Sequence, residues 1–166
     1  NIKTFVESVP YLTSQKSIDL FTKYGIFTEN ELKAREEIKY EHYINVRSIE
    51  IRTFISMVYS EFIPALTKEI KEITSLGAYM PKHFEIKARH ISEAIDRISD
   101  VTEELKKKFE DTLKISSVKD KAMNIVNEVM PLVDKARFEC DSIERHLSIK
   151  NHPYPSYEKL FFALDF

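Results

Sequence analysis

The stretch Thr28–Leu76, TENELKAREEIKYEHYINVRSIEIRTFISMVYSEFIPALTKEIKEITSL, decides how the rest of the chain is read. Thr28 followed by Glu31 has the form of a capping box, in which a hydroxyl and a carboxylate satisfy N–H groups left open in a first helical turn. Apolar residues then return every three or four positions. They run from Leu32, Ile38, Tyr43, Ile44 and Ile51 through Phe54, Ile55, Val58, Phe62, Ala65, Leu66, Ile70, Ile73 and Leu76, with charged residues between them. No glycine interrupts the pattern before Gly77. At about 1.5 Å of rise per residue, one helix over this span is roughly 70 Å long, so other helices are needed to cover its apolar edge. Pro64, in EFIPAL, removes a backbone hydrogen bond, and because the periodicity resumes at once it predicts a kink and not a stop.

Upstream, residues 1–12 hold Phe5, Val6, Val9, Pro10, Tyr11 and Leu12 without a clear period and read as a lead-in from a preceding domain. Thr13 or Ser14 caps a short helix through Ile18, Leu20, Phe21 and Tyr24, and Gly25 is placed as its left-handed stop, with Ile26 as the accompanying apolar contact. Phe27 is positioned to staple onto Leu32. Downstream, LGAYMP marks a turn at Gly77 and Pro81, and a third helix is expected over Lys82–Lys114. Its Ile91, Ile98 and Leu105 lie seven apart, with Ala88, Ile95, Thr102 and Phe109 on the companion position, the repeat of a coiled-coil seam. Ser116 or Ser117 caps a fourth helix, with Asp120 at the box position if Ser117 leads; its stripe runs from Val118 to Leu147, and Pro131 in EVMPLV lies mid-pattern, as Pro64 does in the first. Residues 13–150 thus read as a helical bundle. From 151 to 166 the texture changes to NHPYPSYEKLFFALDF, a proline and aromatic tail expected to dock, with Pro153, Tyr154, Pro155, Tyr157, Leu160, Phe161 and Phe162 as the candidate interface.

Composition supports an all-α fold. A chain of 166 residues with 43% apolar content fills one core, and two glycines with no tryptophan do not suit turn-rich sheet architectures. The expectation is an elongated antiparallel bundle of long, proline-kinked helices with a short N-terminal helix and the aromatic tail. A net charge of -2, from 25 basic and 27 acidic residues, offers no field for nucleic acid or anionic lipid, so neither is expected as a partner. No apolar run is long enough to span a bilayer, no signal peptide is evident, and Cys140 has no partner for a disulfide, which together suggest the cytoplasm. The first residue is Asn1 and not Met, which suggests a piece of a larger protein.

Chemistry is harder to find. A di-iron bundle needs Glu-x-x-His pairs, but the residues three before His42, His83, His90, His146 and His152 are Lys39, Met80, Lys87, Ile143 and Ile149. His90 and His146, beside Ile91 and Leu147, read as boundary histidines. Gly25 and Gly77 stand alone, so no phosphate-cradling loop is evident. Lys106–Lys108 are neutralised by Glu103, Glu104, Glu110 and Asp111 and read as a solvated face. Cys140 falls in an apolar stripe and reads as a small hydrophobe; Tyr40, Tyr43 and Tyr59 read as core or boundary residues. No catalytic, cofactor-binding or metal-ligating residue is assigned.

Several phrases resemble, in order, the region after the catalytic domain of type III glutamine synthetases. SQKSIDLFTKYGIFTENELKAREEIKYEHYINVRSIEIRTFISMVYSEFIPAL carries a Leu-Phe-x-Lys-x-Gly-[Val/Ile]-[Phe/Leu] turn at Leu20, Phe21, Lys23, Gly25, Ile26 and Phe27, then Glu31, Leu32 and Arg35 of a Glu-Leu-x-x-Arg helix. VNEVMPLVDKAR is similar to a family helix at Glu128, Met130 and Pro131. HPYPSYEKLFF is similar to the family tail at Pro153, Pro155, Tyr157, Leu160 and Phe161, with His152 standing where tryptophan is common. The resemblance implies a non-catalytic C-terminal domain of an enzyme that joins ammonia to glutamate at the expense of ATP. The ATP and Mg sites then belong to a catalytic barrel absent from this sequence, and the partners are that barrel and neighbouring subunits of a homo-oligomer. The alternative expectation is a free-standing helical module that binds a partner helix along a groove.

Overall fold

The structure, a computed structural model, describes residues 2–155 and 161. Four of the described helices start where a side chain accepts from the open first turn. Thr4 caps α1 (Phe5–Ser8), its Oγ1 accepting from Glu7 N at 3.2 Å, and a 3-10 turn over Val9–Thr13 follows with Pro10 in its first positions. Ser14 caps α2 (Gln15–Lys23), which ends in a Schellman motif. There Ile26 N donates to Phe21 O at 2.9 Å and Gly25 N to Thr22 O at 3.1 Å, and Gly25 takes the left-handed φ of 62° that this stop requires. Three residues later the capping box closes: Thr28 N donates to Glu31 Oε2 at 2.7 Å, and Thr28 Oγ1 accepts from Glu31 N at 3.3 Å. Phe27, between the two motifs, has its ring edge-on to Phe21 at 5.6 Å and the Arg35 guanidinium over its face at 4.2 Å.

From that box α3 (Glu29–Met57) runs into a π-helical turn, Val58–Phe62, and on into α4 (Ile63–Thr74). After the turn at Gly77 comes α5 (Lys82–Leu113), then α6 (Val118–Asn124), a second π turn at Ile125–Val129, and α7 (Met130–Glu144). Ser117 is the cap of α6, accepting from Asp120 N at 3.2 Å. Both π turns sit just before a proline. Ile63 N donates to Val58 O, and Met130 N to Ile125 O, each five residues back, with Pro64 and Pro131 next in sequence. A proline ring crowds the carbonyl four residues behind it and has no N–H to offer; widening the preceding turn by one residue relieves both problems while the helix continues. No strand occurs among the described residues, and the fold is all-α with long helices.

The chain divides into two compact units, Asn1–Arg52 with Leu105–Leu132, and Thr53–Glu104 with Val133–Phe166. In the first, Val6, Val9, Tyr40, Ile44, Ala122 and Ile125 form the core, so Val6 and Val9 are packed with residues of α3. Lys108 meets Glu128 at 3.2 Å and Thr112 Oγ1 donates to Asn124 Oδ1 at 2.7 Å, so the partners step forward on α5 as they step back on the following helix, an antiparallel pair. In the second unit Phe62, Leu66 and Ile73 pack on Ile91, Ala94 and Ile98, with Ile143 and Leu147 closing the third side. There too the pairs run in opposite directions: Lys87 with Glu69 and Glu103 with Tyr59, then Arg97 with Glu139 and Glu104 with Lys135.

Burial refines the sequence reading in three places. Ile91, Ile98, Leu105 and Thr102 are fully buried, as the heptad pattern predicts, but Ala94 and Val101 are buried as well, so α5 is covered over a face wider than a two-position seam. On α3, Ile38 is 60% exposed while Tyr40 is 2% exposed, because the buried row runs Leu32, Tyr40, Ile44, Ser48 and Ile51. The last helix stops at Glu144 and not near Lys150; Leu147 remains buried beyond its end, and a 3-10 turn at Ile149–Asn151 leads into the tail.

Candidate functional site

The most elaborate polar arrangement among the described residues lies in the second unit, where the chain approaches the tail. Glu69 occupies the apolar row of α4 between Leu66 and Ile73 and is 4% exposed. Its Oε1 accepts from Lys87 Nζ at 2.6 Å, and its Oε2 accepts from Ser148 Oγ at 2.7 Å, Ser148 N at 3.2 Å and Asn151 Nδ2 at 2.7 Å. Burial by itself raises the pKa of this carboxyl; donation from Lys87, then from Asn151 and Ser148, outweighs that and holds it down at about 2. Asn151 Nδ2 also reaches Glu72 Oε2 at 3.0 Å, where Lys150 Nζ stands at 2.8 Å. The result is a clasp tying residues 148–151 to α4. Apolar periodicity does not reveal it, because Glu69 reads as one of the charged residues between apolar positions; its register with Phe62, Leu66 and Ile73 is the signal that it faces the core, though not of which donors meet it there.

Beyond the clasp, Pro153 and Tyr154 are half-buried and Pro155 is exposed. Tyr154 packs against the core of the second unit, and its hydroxyl donates to Met57 O at 3.4 Å. Phe161 is 76% exposed, while Tyr157, Leu160 and Phe162 lie outside the described residues.

Tyr154 also forms one wall of a half-open cavity of ≈ 270 Å³. Phe54, Met57, Val58, Phe62 and Cys140 make its apolar lining, and Arg137, Asp141 and Glu144 project from α7 at its rim. The π turn before Pro64 supplies Val58 and Phe62. Burial, followed by the charges of Asp141, Glu139 and Glu144, pushes the Cys140 thiol up to about 12, which keeps it protonated and a poor nucleophile. The Tyr154 hydroxyl is likewise pushed up to about 12 by burial and by Glu61, Cys140 and Glu144.

The remaining sequence candidates are dispersed. Tyr40 is a core residue, Tyr43 stacks on Phe5 at 5.9 Å, and Tyr59 donates to Glu103 at 2.8 Å. His152 Nδ1 lies 3.5 Å from Glu144, and His146 Nδ1 is buried without a hydrogen-bond partner among the described residues. Within those residues no group of three or more His, Cys, Asp or Glu is placed to hold a metal ion, and no helix is long and apolar enough to cross a membrane.

These features define an all-α module whose conspicuous polar chemistry is turned inward to hold its own C-terminal approach in place. Residues 1–80 match the sequence profile of the glutamine synthetase C-terminal domain. The chain is 30% identical over 172 residues to a glutamine synthetase from Butyrivibrio fibrisolvens, an alignment spanning 99% of this chain and 25% of that protein. It is 25% identical over 174 residues to the type-3 glutamine synthetase of Dictyostelium discoideum, spanning 98% of this chain and 24% of that one. The N-terminal 80 residues thus carry the profile of that domain, and the chain as a whole is similar to the two glutamine synthetases. It spans about a quarter of the length of the curated relatives it matches.

Proposed function

We propose that the chain serves as a non-catalytic assembly domain of a cytoplasmic glutamine synthetase, packing against that enzyme's catalytic domain and against neighbouring subunits of a homo-oligomer. Ligation of ammonia to glutamate, with ATP and magnesium, is then the work of the catalytic domain, and this domain contributes subunit architecture or relays regulation. The observation that carries the reading is the clasp. Lys87, Ser148 and Asn151 all donate to the Glu69 carboxylate, so residues 148–151, from which the tail continues, are held at a fixed point on α4. A buried, fully paired carboxylate is well suited to fixing geometry, since its neighbours must be in register for it to be satisfied.

The test uses a glutamine synthetase that carries this domain. Removing residues 156–166 leaves Asn151 and the clasp intact and is expected to yield smaller assemblies by sedimentation velocity, with the helical content of each subunit unchanged. Assemblies of unaltered size would remove the tail from the proposal. The domain alone, incubated with glutamate, ammonia, ATP and magnesium, is expected to form no glutamine; turnover above background would overturn its catalytic silence.

A further inference from the structure

We propose that the cavity walled by Phe54, Met57, Phe62 and Tyr154, with Asp141 and Glu144 at its mouth, is a binding site for a small amphipathic amine. The size comes first. Its ≈ 270 Å³ equals the liquid volume of roughly nine waters at about 30 Å³ each, room for a single aromatic ring on a short arm. The floor selects an apolar body: two phenylalanines, a methionine, a valine and the protonated Cys140 thiol offer dispersion contact and no strong hydrogen-bonding group.

The rim selects the charge. Asp141 and Glu144 line the cavity with Arg137, which sits 3.6 Å from Asp141 with both side chains largely exposed, a weak pairing, while His152 Nδ1 stands 3.5 Å from Glu144 outside the lining. Glu61 and Glu139 add to the same negative field, felt at the Tyr154 hydroxyl and the Cys140 thiol respectively. Arg97 answers Glu139 at 3.0 Å, outside the lining. An apolar recess with a carboxylate-rich mouth disfavours an anion and rewards an ammonium carried on a hydrophobic body. The π turn at Val58–Phe62 supplies two of the lining residues, and such turns recur at functional sites in other helices. This inference does not depend on the assembly role.

Three probes of matched size, 2-phenylethylamine, 2-phenylethanol and phenylacetate, are titrated into the full chain by NMR chemical-shift perturbation. The amine is expected to saturate at least tenfold tighter than the alcohol, with shifts on residues 54–62 and 137–144, and phenylacetate is expected not to saturate. The double change Asp141→Asn and Glu144→Gln should bring the amine to the level of the alcohol while leaving the alcohol's affinity within twofold. Because both residues are on the rim, folding is checked by unchanged helical circular dichroism, and the alcohol serves as the internal control for an intact floor. Equal binding of all three probes, or preference for the anion, would overturn the proposal. So would an absence of saturable binding in the full chain. If binding then appears in a chain ended at Pro155, the natural occupant is the chain's own residues 156–166 and not a free amine.

Discussion

Glu69 illustrates what a buried charge does in this protein. Taking a carboxylate out of water costs several kcal/mol, and four donors directed at its two oxygens return that cost. Glu69→Gln keeps the shape but removes the charge that Lys87 and Asn151 address, and it is expected to lower stability by about 3 kcal/mol at pH 7, read from the urea midpoint. The pH dependence follows from the direction of the shift. The folded-state pKa, about 2, lies below the ordinary value of 4.5, so the contribution is complete above about pH 5 and is lost as the pH falls towards 2. Wild type and Glu69→Gln should therefore converge in stability on acidification; parallel curves would show that the clasp does not hold its charge as described. Cys140 gives a second check at this scale. With the thiol held protonated up to about 12, its alkylation by iodoacetamide at pH 8 is expected to run at least tenfold slower in the folded chain than in the same chain in urea.

At the scale of elements, the helix ends carry local chemistry and the helix faces carry the energy. The back-to-back Schellman motif and capping box between α2 and α3 turn the chain in a few residues. Gly25→Ala places a Cβ in open space, with nothing within 4 Å, so the whole penalty is the backbone strain of a left-handed φ, about 1 kcal/mol. A much larger loss would contradict the open space found around this position. Ile98→Ala on α5 removes a fully buried side chain from a core shared by three helices and is expected to cost about 2–5 kcal/mol, measured as a shift in urea midpoint at unchanged m. The paired π turns belong to this scale as well. Pro64 and Pro131 each follow a Glu-x-x phrase, and each is accommodated by the same one-residue widening without ending its helix.

Across the whole molecule, the all-α architecture was legible because its signals are periodic and repeated. One misplaced residue, such as Ile38, does not disturb a row that Leu32, Ile44, Ile51, Val58 and Leu66 also define. The ends were legible for a different reason: Thr28 with Glu31, Gly25 with Ile26, and Ser117 with Asp120 settle their hydrogen bonds within a few residues of chain, so neighbours in sequence suffice to read them. The packing of residues 5–9 was not legible. Its apolar residues have no helical period of their own, and Val6 and Val9 are buried because α3 and the helix after Ser117 supply the surface. Nor was the clasp, since Glu69 and Ser148 are remote in sequence and nothing local to either marks them as partners.

The amino-acid sequence by itself determined the class of fold, the helix starts at Thr28 and Ser117 and the stop at Gly25, and the likeness to glutamine synthetases, because each depends on period, caps or an ordered run of residues. Tertiary structure alone decided that Tyr40 and not Ile38 is buried, that a carboxylate at position 69 is stabilised and not expelled, and that an apolar cavity with an acidic rim opens beside Tyr154. The physical reason is that desolvation has no local signature. Its cost or benefit at a residue is set by which donors, charges and carbon surfaces the rest of the chain brings to it.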